Sequence, residues 1–153
     1  MDISKYLNNP ENLYNSVMTT DSKKLFKDSP SFTIAFHFLS LAMEEFDSAN
    51  FFQQKDGCEK AFRAATEAID TFLASRGYHI NTGQPIAHQQ RSDALELVSD
   101  LEPNIRRLNY QYSAYKDKLH GICFYGSSDP KKYITLFKSV EEFVKELQTL
   151  SNN

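Results

Sequence analysis

The chain has no tryptophan, and it has only five glycines and five prolines among its 153 residues. So few turn formers exclude an all-β protein of this length, which would need many tight turns. No excess of basic charge is present. The net charge of −3 excludes general electrostatic attraction to nucleic acid. It leaves only a local patch, from Arg106, Arg107, Lys116 and Lys118 on one helix and Lys131 and Lys132 after it. No long hydrophobic run exists either. The greasiest stretch, Ile34 to Met43, is interrupted by His37 and Ser40 and is far shorter than a membrane span. The start, from Met1 to Pro10, lacks a charged-then-apolar signal pattern. These absences predict a soluble, cytoplasmic chain with no membrane contact.

Chemical fingerprints are equally sparse. There is no His-Glu-x-x-His, no Glu-x-x-His pair for a di-iron bundle and no Cys-x-x-Cys, so neither a metal nor a cofactor is expected. Glu44 and Glu45 are adjacent and point apart. The glycines are too scattered for a phosphate loop or a dinucleotide fingerprint, and no serine-nucleophile elbow occurs. Cys58 and Cys123 sit singly on apolar helical faces, which favours buried free thiols over a disulfide.

What remains is helical patterning. Hydrophobic residues at 41% and charged residues at 24% are ordinary globular usage, consistent with one domain. Residues 1 to 30 are rich in Asn, Ser and Lys, and read as an arm with a short helix or two that packs on the body or swaps onto a neighbouring subunit. The body spans residues 31 to 150. Ser31 caps a helix whose stripe is Phe32, Ala35, Leu39, Ala42, Phe46 and Ala49, and Asp56-Gly57 breaks it. Cys58, Phe62, Ala65, Ile69 and Phe72 carry the next helix. Ala61, Ala64 and Ala68 beside them allow close approach, and Gly77 stops it. After a loop at 78 to 86, a third helix runs from about His88 to Leu101, with Leu95, Val98 and Leu101 inward. A final helix, capped by Ser128-Asp129-Pro130, repeats Tyr133, Leu136, Val140, Phe143, Leu147 and Leu150. The fold class predicted is an all-α, antiparallel bundle of four to five helices.

Between these lies a long helix, from about Pro103 to Phe124, with two faces. Ile105, Leu108, Tyr112, Tyr115, Leu119 and Ile122 form a dry seam. Nearly opposite stand Arg106, Tyr110, Ser113, Asp117, His120 and Phe124. This is either a core helix that lends a site or one with an ordinary wet side. His120, one turn from Lys116 and Asp117, can serve as a general acid or base, with Arg106 two to three turns away to hold a phosphate. His88 and Arg91 open the third helix. A cation in a helix's first turn opposes the macrodipole, so Arg91 either pairs with Asp93 or Glu96 or meets an anion. His37 reads as a satisfied, partly buried histidine.

Several phrases together resemble the HEPN superfamily of helical bundles, over roughly residues 32 to 148. They are the Ala-rich helix from Cys58 to Ile69, the Gly77 stop, a helix opened by His88-Gln-Gln-Arg91 with Leu95, and Leu119-His120-Gly-Ile-Cys-Phe-Tyr125-Gly126 before a capped last helix. The resemblance implies a homodimer whose fourth helix contributes to a cleft between subunits. Active members are metal-independent ribonucleases that place an Arg four to six residues before a His. Here the positions ahead of His120 hold Ser113, Ala114 and Tyr115, and Arg106 lies two turns too early. The expectation is therefore a non-catalytic binding or partner module. Its site comprises Arg106, Tyr110, Ser113, Asp117, His120, Tyr125, His88 and Arg91, and its partner is a nucleotide, RNA, a nucleotidyltransferase or another protein. A divergent ribonuclease using His120 and a purely structural adaptor are the alternatives.

Overall fold

Ser31 begins the described structure's first helix as the sequence predicts. Its side chain accepts a hydrogen bond from the Ile34 amide at 3.2 Å, a cap of about 1 kcal/mol. The computed structural model describes residues 30 to 153, so the expected N-terminal arm lies outside the described residues but for Pro30. Five helices follow: α1 (Phe32–Phe46), α2 (Phe51–Ser75), α3 (Ala87–Leu101), α4 (Ile105–Tyr115, continued by a π-helix over Lys116–Phe124) and α5 (Ile134–Ser151), the last entered through a 3₁₀ turn at Pro130–Tyr133. The described residues contain no strand and form an all-α five-helix bundle. No helix among them is long and apolar enough to cross a membrane.

The break after α1 falls ten residues before the expected Asp56-Gly57. Asn50 caps α2, accepting from the Phe52 and Gln53 amides, and Gly57 lies within the helix. Its reason is contact rather than chain reversal. A Cβ at Gly57 would stand 2.8 Å from the Ala42 carbonyl oxygen and 3.0 Å from the Phe46 amide nitrogen, so α1 can cross this close only over glycine. Gly77 does act as the stop, at φ 88.

α2 is the central element, packed against α1, α5 and the π-helix. Cys58, Ala61, Phe62, Ala64, Ala65, Ala68, Ile69 and Phe72 are all buried on it. The seam of α4 holds through Ile105, Leu108, Tyr112, Tyr115 and Leu119, and then changes phase. In the π-helix each hydrogen bond reaches back five residues instead of four. The buried row accordingly steps Tyr115, Leu119, Cys123, while Ile122 turns outward at 46% exposure. Cys123 thereby meets Cys58, and the two form a disulfide rather than the free thiols expected, with Cα atoms 6.1 Å apart. Leu101, expected inward, is exposed. The α3 row continues from Val98 by a step of four to Glu102, which Arg76 holds with two hydrogen bonds of 2.9 Å.

Candidate functional site

The first turn of α3 carries His88 and Arg91, and the structure gives Arg91 a partner other than Asp93 or Glu96. It is buried and pairs bidentately with Asp70 of α2, at 2.6 and 2.9 Å. Burial pushes the Asp70 carboxyl up, and the guanidinium pulls it down. A cation at this end of a helix is tolerated because a carboxylate meets it across the interface. Asp93 instead accepts from Gln89, and Glu96 from Asn109. His88 stays exposed, with Nδ1 3.5 Å from Arg91. Partial burial, then repulsion from Arg91, Lys116 and His120, holds it below its ordinary value, so at neutral pH it is uncharged.

One turn before Asp70, α2 presents Glu67. Its Oε1 accepts from the Ser31 amide at 3.2 Å, and no other hydrogen bond reaches it among the described residues. Burial pushes this carboxyl up to about 7, against the lowering effect of that amide, with Asp70 adding repulsion. Beside it Thr66 Oγ1 lies 3.1 Å from the Tyr112 hydroxyl, tying α2 to α4.

His120 sits in the π-helix. Its Nδ1 lies 2.6 Å from Glu59 Oε2, a geometry in which a carboxylate accepts from Nδ1–H and Nε2 is the ring's second nitrogen. The ring is half-buried in an aromatic nest, 5.1 Å from Phe62, 6.3 Å from Phe124 and 5.0 Å from Tyr125 between centroids. Arg63, also on α2, places Nε 4.0 Å from the other oxygen of Glu59.

Two recesses that share His88 and Arg91 lie between these helices. A cleft of about 530 Å³ runs between Phe38, Phe62, Glu67, Gln84, His88 and Arg91. A notch of about 80 Å³ lies on the other side of His88 and Arg91, lined also by Tyr112, Ser113 and Lys116. Of the residues predicted from sequence, His88, Arg91 and Ser113 thus share a wall, and His120 joins them through Phe62 and Tyr112, whose rings stack at 5.8 Å. Arg106 does not converge with His120. It bonds Asp100 at 2.8 Å and lies 3.9 Å from Glu96, facing α3. Tyr110 and Asp117 are exposed outside both recesses, and Tyr125 stands on the His120 ledge. His37 is half-buried, but among the described residues its Nε2 has no hydrogen-bond partner, where a satisfied histidine was expected.

Sequence reasoning missed Glu59, Glu67 and Asp70, and named Lys116 only as a neighbour of His120 and part of a basic patch. For the first three a signal existed, because they are carboxylates on a helix otherwise packed with Ala, Phe and Ile. Among the described residues no group of three or more His, Cys, Asp or Glu is placed to hold a metal. No protein-family model, no curated protein and no solved structure matches the chain, and the site's own geometry is the ground for a functional reading.

Proposed function

We propose that this chain is a non-catalytic, HEPN-like bundle, working as a homodimer, that binds a nucleotide or a single-stranded nucleic-acid segment along the α2–α3–α4 recess. The observation that carries this reading is the notch where His88, Ser113 and Lys116 meet in front of the neutralised Arg91, next to the aromatic ledge of His120, Phe124 and Tyr125. Lys116 supplies charge and N–H donors for a phosphate, the neutral His88 ring supplies one N–H, and Ser113 supplies a hydroxyl. The ledge offers faces on which a base can stack, worth about 1–3 kcal/mol per base. Neither arginine of α4 is available to His120, since Arg106 is held by Asp100 and Arg107 by Glu146.

A specific contact favours the ribonuclease as second reading. Glu59 orients His120, and Arg63 lies beside the same carboxylate, so α2 brings up an arginine that α4 lacks at the required spacing. One experiment separates the two. Wild type, His120→Ala and Lys116→Ala are mixed with structured and single-stranded RNA in EDTA, and binding and cleavage are both read. Binding without cleavage, weakened by Lys116→Ala, supports the module. Metal-independent cleavage lost in His120→Ala supports the nuclease. RNA left intact and unbound, with no nucleotide affinity, removes both and leaves a protein partner. Only monomer by scattering at micromolar concentration removes the homodimer.

A further inference from the structure

We infer that the cleft beside Glu67 reads a nucleobase with adjacent N–H donors, the pattern of guanine, whose phosphate end lies toward His88 and Lys116. The inference rests on the nucleotide-binding reading above and names the class of nucleotide. The cleft's volume of about 530 Å³ is in the range of small-ligand sites. Two phenyl rings, Phe38 and Phe62, line it and suit a planar ring. Among the described residues Glu67 makes no ion pair, because Arg91 bonds Asp70 and reaches Glu67 only through its field.

The chemistry selects among bases. An ionised carboxylate only accepts hydrogen bonds, with about four lone-pair sites on its two oxygens. The Ser31 amide occupies one of these and fixes the direction of the group. Guanine presents a ring N–H and an amino group side by side, and two parallel bonds to Glu67 satisfy both. Adenine presents an amino group beside a bare ring nitrogen, which would oppose the carboxylate's lone pairs. Cytosine has the same donor–acceptor alternation. Burial has already raised the energy of the ionised Glu67, and two donors restore what water would have supplied. The cleft and the notch share His88 and Arg91 as lining, so a ligand with its base in the cleft has its phosphate end beside the notch.

The test is calorimetric titration of the full chain with GMP, AMP and CMP, near pH 8 so that Glu67 is ionised. Wild type, Glu67→Gln and Lys116→Ala are compared, with thermal melts to verify folding. Wild type is expected to bind GMP about 10-fold or more tighter than AMP or CMP, the discrimination of a good bidentate base contact. Glu67→Gln, which puts an amide donor against the guanine edge, should level the three by weakening GMP alone. Lys116→Ala should weaken all three alike. Equal affinities in wild type, or a GMP preference that survives Glu67→Gln, would overturn the base assignment and leave the phosphate-binding reading standing. No binding of any nucleotide, nor of pyrophosphate, would overturn both.

Discussion

Glu67 should make the fold's stability depend on pH in a direction opposite to that of most paired carboxylates. Its carboxyl is shifted from 4.5 to about 7 in the folded chain, chiefly by burial. The folded state therefore holds a proton that the unfolded chain has released. The stability tied to this group is fully present below pH 4.5 and is lost as pH rises through about 7. At 1.36 kcal/mol per unit, the shift corresponds to about 3 kcal/mol at most. The side chain retains some exposure, which reduces this to on the order of 2 kcal/mol. Glu67→Gln keeps an oxygen for the Ser31 amide and removes the charge. In urea titrations the variant should match wild type near pH 4 and exceed it by about 2 kcal/mol near pH 8. The fields of Asp70 and Arg91 act on the Glu67 charge and are therefore part of the difference, within the net shift to about 7. A difference between variant and wild type that stays constant across this range would refute the argument, because it would mean that Glu67 titrates alike in the folded and unfolded chains.

Arg91→Met should cost about 3–5 kcal/mol by stranding the buried Asp70, and Asp70→Leu in the same chain should recover most of that. A single-variant loss under about 1 kcal/mol, read by chemical denaturation, would show that the pair is solvated. Gly57→Ala, a change that stabilises an ordinary helix interior by about 1 kcal/mol, should instead lower the melting temperature. The added Cβ would stand 2.8 Å from the Ala42 carbonyl, an overpacking cost of about 1–3 kcal/mol. A higher melting temperature would contradict the close α1–α2 crossing. Reducing the Cys58–Cys123 bridge, which spans 65 residues of sequence, should cost about 4 kcal/mol on the chain-entropy account. An identical denaturation midpoint with and without reductant would mean the thiols are not joined.

The helices were legible because each is written in local spacing. Ala35, Leu39, Ala42 and Phe46 on α1, and Val140, Phe143 and Leu147 on α5, recur every three or four residues and are buried as that period requires. Ser31 and Asp129 cap through their own side chains, within three residues of chain. His88 and Arg91 were visible as candidates because a cation at a helix start conflicts with the backbone dipole, and that conflict is local too. What joins them to a site is not local. Asp70 lies 21 residues before Arg91, Glu59 lies 61 before His120, and Cys58 lies 65 before Cys123. The π-helix shifts the seam by a fraction of a turn, and that shift turns Cys123 to its partner and Ile122 to solvent. Gly57, which looks like a helix breaker in isolation, is explained only by the α1 backbone 2.8 Å away. By itself, the sequence determined the helices and their dry faces, because a period and a cap act over a few residues. Only the tertiary structure decided which charges are neutralised, which rings gather and which carboxyl stands alone, because those energies depend on distances set by how helices pack.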